Sequence, residues 1–82
     1  MSDARRIRDA VVVAKAAIEE DITAGVVPAS VRSFSELHDF VDANDYMTEC
    51  LPSAAFGSYE AWTDALNEAE EQVDVWLRGG RK

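Results

Sequence analysis

Cations are scarce through the middle of this sequence: between Ala16 and Leu77 the only basic side chain is Arg32, against fourteen carboxylates in the same span. With a net charge of -8, most of the surface repels a nucleic-acid backbone, and the remaining cations offer too few phosphate contacts to dominate that repulsion. Direct nucleic-acid binding is therefore disfavoured. A single cysteine, Cys50, excludes an intramolecular disulfide and a cysteine-based zinc site, and fits a reducing cytoplasm. Its acidic neighbourhood offers no cation to lower a thiol pKa, so Cys50 is expected to be a small buried hydrophobe. No apolar run approaches the length that spans a bilayer, and Met1 to Ala10 lacks the hydrophobic centre of a secretory signal, so a cytoplasmic location without a membrane anchor is expected.

What is present is apolar enough to fold. Of 82 residues, 48% are hydrophobic, including Trp62, Trp76 and three Phe, a composition unlike that of disordered chains. The length suits one domain covering residues 1–82. Little chain is left over to build a catalytic cleft, so an enzyme is not expected.

Apolar periodicity predicts three helices. Ile7, Val11, Ala14, Ile18 and Ile22 recur at helical intervals with Ala10 and Ala17 beside them, which predicts a helix over about 3–24. Ser2 is its expected N-cap, Gly25 its left-handed terminator, and Pro28 prevents continuation. Val12 and Val13 widen its apolar face beyond what one neighbour covers, which points to several contacts or to self-association. Ala29 to Arg32 has room for one helical turn after Pro28. Ser33-Phe34-Ser35-Glu36 has the capping-box pattern, and Phe34, Leu37, Phe40 and Val41 form a stripe, predicting a second helix over about 34–43 that ends at Asn44 in a left-handed conformation. Residues 44–57 read as a long loop, packed through Tyr46, Met47, Leu51 and Phe56. Ser58 caps a third helix over about 59–78, with Trp62, Ala65, Leu66, Ala69, Val73, Trp76 and Leu77 on one side. Gly79 and Gly80 end it, leaving Arg81 and Lys82 in a mobile basic tail over 79–82. The predicted class is all-α, a small three-helix domain with a long packed loop between its second and third helices.

His38 and Asp42 have the i, i+4 spacing of two helix-borne metal ligands, yet two ligands do not build a site and no second histidine exists. No metal and no cofactor are expected. Asp42-Ala43-Asn44-Asp45 begins like a calcium loop, but Tyr46 stands where an oxygen ligand belongs and the glycine and terminal glutamate do not follow in register. No phosphate-binding loop or nucleophile elbow is present, so no catalytic residue is assigned. Trp62 and Trp76, fourteen residues apart, point to nearly the same side, either into the core or, for one of them, toward a partner.

The stretch Val27-Pro28-Ala29-Ser30-Val31-Arg32-Ser33-Phe34-Ser35-Glu36-Leu37-His38-Asp39-Phe40-Val41-Asp42-Ala43-Asn44 resembles a segment of small uncharacterised proteins of actinobacteria and their phages. The likeness covers less than a quarter of the chain and is most distinctive around Ser-Phe-Ser-Glu-Leu-His-Asp. It implies an origin in a phage or mobile element and brings no activity, cofactor or catalytic residue. By association it also implies an inhibitor or modulator of host machinery.

The functional expectation is a small acidic interaction protein that binds a basic surface of a host protein, with nucleic-acid mimicry or inhibition as its sharper form. The carboxylates expected to face the partner are Asp39, Asp42, Asp45, Glu60, Asp64, Glu68, Glu71 and Asp74. The alternative is a structural, self-associating helical protein that forms a homodimer through Val12 and Val13 or one tryptophan.

Overall fold

A computed structural model describes residues 3–82. Helix α1 covers Asp3–Thr23 and helix α4 covers Tyr59–Arg78. Between them lie two single-turn helices, α2 (Phe34–Leu37) and α3 (Asp45–Thr48), and a 3-10 turn at Ser53–Ala55. The architecture is all-α, two long helices packed with short ones between them. Ser2, the expected cap of α1, lies outside the described residues.

Both long helices end in the same way, for a reason visible in the sequence. Gly25 takes φ +80, its N–H donates to the Ile22 carbonyl, and the Val26 N–H reaches back to Asp21. Gly80 takes φ +79, its N–H donates to Leu77, and the Arg81 N–H reaches back to Trp76. These are paired Schellman closures, which use the left-handed conformation that glycine adopts without a Cβ clash. After the first closure Val27 turns inward and is buried, while Val26 stays outside.

Contacts along α1 and α4 climb in the same order. Ile7 shares a groove with Ala61 and Ala65, the Lys15 ammonium stands 5.7 Å from the centre of the Trp76 ring, and Glu19 pairs with Arg81 at 2.7 Å. The two helices therefore run parallel, and residues 24–58 must return along the length of the molecule to join them. That return is what closes the core. Ala10, Val11, Ala14 and Ile18 of α1 meet Ala65, Ala69, Val73 and Leu77 of α4, and the connection adds Val27, Val31, Phe34, Leu37, Ala43, Met47 and Leu51 to one buried cluster.

Three polar contacts fasten the connection to the long helices. The Phe34 N–H donates to Asp74 Oδ1 at 2.8 Å, the Tyr46 hydroxyl donates to Asp21, and the Trp62 indole N–H donates to the Leu51 carbonyl at 2.8 Å. Each joins an element of the connection to a partner distant in sequence, satisfying a backbone or side-chain group as it is covered.

The second helix is shorter than its stripe predicts. Ser33 caps it as expected, accepting from the Glu36 N–H at 3.1 Å, but Glu36 reaches past the serine and accepts from the Arg32 N–H at 3.0 Å. After Leu37 the bonds become irregular, with three-residue steps from Asp39 to Glu36 and Phe40 to Leu37 and a four-residue step from Val41 to Leu37, and the chain turns so that Ala43 and Met47 can be buried. Phe40, expected inside, is 51% exposed as a result. Asn44 is right-handed, at φ -63, because it starts α3 instead of ending a longer helix. The 44–57 segment, expected as loop, is packed through α3 and the 3-10 turn. Pro28–Val31 makes a turn, closed by the Val31 N–H on the Pro28 carbonyl, in place of a helical turn. Arg81 is not part of a free tail: its guanidinium donates to Glu19 and, at 3.0 Å, to the Ala29 carbonyl.

Candidate interaction surface

On α4 the buried residues Ala65, Ala69, Val73 and Leu77 fix which side faces inward. At 3.6 residues per turn, Glu60, Asp64, Glu68 and Glu71 then fall on the opposite side, and all four are exposed. Neither ion pair formed among the described residues, Arg78 with Asp74 and Arg81 with Glu19, involves this row. Glu60 also sits in the first turn of α4, where the helix dipole favours a negative charge.

The other expected carboxylates are placed differently. Asp39 and Asp42 lie in the turn that follows α2, and Asp45 opens α3; all three are exposed. They belong to a winding segment and share no helix face. Asp74 is tied down, with one oxygen on the Phe34 N–H and the other on Arg78 at 2.7 Å. His38, the cap residue after α2, packs edge-on against Phe34 with ring centres 5.0 Å apart. With the helix ended at Leu37, the helical relation of His38 to Asp42 is gone. Among the described residues no group of three or more His, Cys, Asp or Glu side chains is placed to hold a metal ion.

Between α1 and α4 lies an open groove of about 650 Å³, lined in part by Lys15, Glu68, Glu71, Val75 and Trp76. Nearer the helix N-termini lies a smaller groove of about 270 Å³ that includes Asp64 and Ile7. Trp76 is half-buried at its edge, and Val75 and Val12 are each 62% exposed. Lys15 and Lys82 line the same groove, but the other basic residues do not join them in one patch. Because α1 and α4 are parallel, Arg5, Arg6 and Arg8 stand at one pole and Arg78, Arg81 and Lys82 at the other.

No family model, curated protein or solved structure matches the chain. No helix among the described residues is long and apolar enough to cross a membrane. Cys50 is half-buried against the core, with a free thiol.

Sequence reasoning missed the Tyr46–Asp21 contact, since nothing local relates residues so far apart. Burial, and then the hydrogen bond and negative charge of Asp21, push the Tyr46 hydroxyl well above the ordinary phenol range. Below the unfolded value of 10.0, Tyr46 is neutral in both states and its hydrogen bond stabilises the fold in full. Above it the unfolded chain gives up this proton first, so stability falls as pH rises toward the folded pKa. Tyr46→Phe is expected to lose about 1 kcal/mol at neutral pH, and the gap to the parent should narrow on the alkaline side. Urea unfolding of both proteins across that range checks it; a gap that widens with pH contradicts the assignment.

Proposed function

We propose that this chain is a non-enzymatic interaction protein of phage or mobile-element origin, acting in the cytoplasm, whose carboxylates engage a basic surface on a host protein. The observation that carries the reading is the row Glu60, Asp64, Glu68 and Glu71, exposed on one side of α4 and outside the ion pairs of the described residues. Such a row projects a negative field that no ion pair of the described residues offsets. It accelerates encounter with a positive surface and disfavours negative ones. Asp39, Asp42 and Asp45 add a second acidic region on the connection.

Charge density ranks the two forms of this proposal. From Glu60 to Glu71 the helix rises about 16 Å, so four carboxylates give roughly one charge per 4 to 5 Å, whereas duplex DNA carries about one per 1.7 Å. A partner that requires a dense phosphate lattice would therefore need the α2–α3 carboxylates as well as the row. A protein surface with a few lysines or arginines matches the row by itself, and we favour it over nucleic-acid mimicry. Self-association remains a second reading, favoured by the exposed Val12 and Val75.

The test is capture on the immobilised protein from an extract of the source organism at low salt, elution by salt, and mass spectrometry of what elutes. With the partner in hand, replacing Glu60, Glu68 and Glu71 by Gln and Asp64 by Asn is expected to slow association about tenfold while leaving the circular dichroism of the fold unchanged. Affinity should drop steeply between low and high salt. Binding indifferent to both salt and these substitutions would reject the reading.

A further inference from the structure

Helix α1 carries the opposite charge on the flank that borders the same groove. Arg8, Val12 and Lys15 follow one another at four- and three-residue steps, so they form one stripe beside the face that meets α4. Lys15 lines the groove from one side, Glu68, Glu71 and Val75 line it from the other, and Lys82 stands at its end beyond α4. The groove thus has a basic rim and an acidic rim, and the described residues form no ion pair across it at these positions. Val75 and the half-buried Trp76 line the groove, and Val12 is exposed on α1 between Arg8 and Lys15.

We infer that this face binds a second copy of the chain, as a two-fold dimer in which α1 of each copy lies over α4 of the other. The distribution of charge selects the axis. A two-fold perpendicular to the helices within the interface would set α1 on α1, cation against cation. A two-fold parallel to them sets the basic rim of each copy on the acidic rim of its mate, twice in every dimer. Because the long helices are parallel and in step, heights along them match. Ile7 borders the same groove as Asp64, and Lys15 the same groove as Glu71. Arg8 therefore arrives near the second copy's Asp64, and Lys15 near the second copy's Glu71. Val12, Val75 and the edge of Trp76 leave water at the centre, which supplies the apolar contact that surface charge alone lacks.

This inference goes beyond a host partner and does not depend on one. In the dimer the α4 row is occupied, and Asp39, Asp42 and Asp45 remain outward for another protein.

Two charge-reversed variants test it on the purified protein alone: Arg8→Glu with Lys15→Glu, and Glu68→Lys with Glu71→Lys. Sedimentation equilibrium of the parent should give twice the 9.0 kDa chain mass. Each variant alone presents like charges across the interface and should dissociate about a hundredfold more readily. An equimolar mixture should restore a one-to-one dimer, since both of its interfaces are again complementary. Recovery on mixing cannot come from a damaged fold, and circular dichroism verifies each variant. A parent that is monomeric at every concentration, variants that stay dimeric, or a mixture that fails to recover would each overturn the proposal. A monomer leaves the α4 row free for a host protein, so the two readings fail separately, whereas a confirmed dimer leaves the host partner to Asp39, Asp42 and Asp45.

Discussion

Ile18→Ala is expected to destabilise the fold by about 2 to 5 kcal/mol, the largest single-residue effect foreseen for this chain. Ile18 is 0% exposed and heads the fully buried side chains by size. It lies on the inner stripe of α1, which packs on both α4 and α3. Truncation to alanine removes three carbons from a place where the surrounding backbone belongs to different elements and cannot collapse together to fill the gap. The consequence is amplified by size, since a domain of this length has a total stability of only about 4 to 12 kcal/mol. Urea denaturation followed by helical circular dichroism measures the loss. Arg5→Ala, on the same helix but exposed, should change stability by no more than about 0.5 kcal/mol. A loss at Ile18 no larger than that at Arg5 would show that α1 does not form the wall of the core.

How far the sequence reveals this molecule depends on whether a signal is local. Gly25, Gly80 and Ser58 act within one turn of the chain, so the ends of α1 and α4 follow from residue types alone. The inward stripes of the two helices follow from periodicity. The stripe Phe34, Leu37, Phe40 and Val41 predicts a longer helix than the one that forms over Phe34–Leu37, for a physical reason. Asp39, Val41, Asp42 and Asn44 are weak helix formers, so burial of Ala43 and Met47 decides the path of the chain there. Burial is a tertiary outcome. The same limit governs the surface: the period places Glu60, Asp64, Glu68 and Glu71 on one side of α4, whereas the parallel packing that sets α1's cations beside them depends on the whole connection. Periodicity cannot distinguish parallel from antiparallel neighbours. Asp74 illustrates the point most sharply, because its spacing assigns it to the acidic side while its contacts assign it to the fold.

Asp74→Ala should therefore behave unlike substitutions in the row beside it. The first N–H groups of any helix lack partners within the helix, and α2 has only one turn in which to find them. Ser33 satisfies the Glu36 N–H, and the Phe34 N–H is satisfied from outside, by Asp74 forty residues away. A hydrogen bond to a charged acceptor contributes about 1.5 to 3 kcal/mol, and Asp74 is partly open to water, so a loss of about 1.5 to 2 kcal/mol is expected. Arg78→Ala removes the other contact of the same carboxylate at an exposed site and should change stability by less than about 0.5 kcal/mol. Asp74→Asn keeps an acceptor for Phe34 without its charge and should fall between the two. Amide hydrogen exchange reports the mechanism: loss of protection should concentrate at Phe34 and its neighbours in α2 and spare the middle of α4. If the Phe34 amide keeps its protection in Asp74→Ala, the carboxylate is not what docks α2. The result also separates two kinds of acidic residue on one helix. Removing Asp74 would disturb the segment that carries Asp39 and Asp42 and so weaken partner binding through the fold, whereas Glu60, Asp64, Glu68 and Glu71 should alter association with the fold intact.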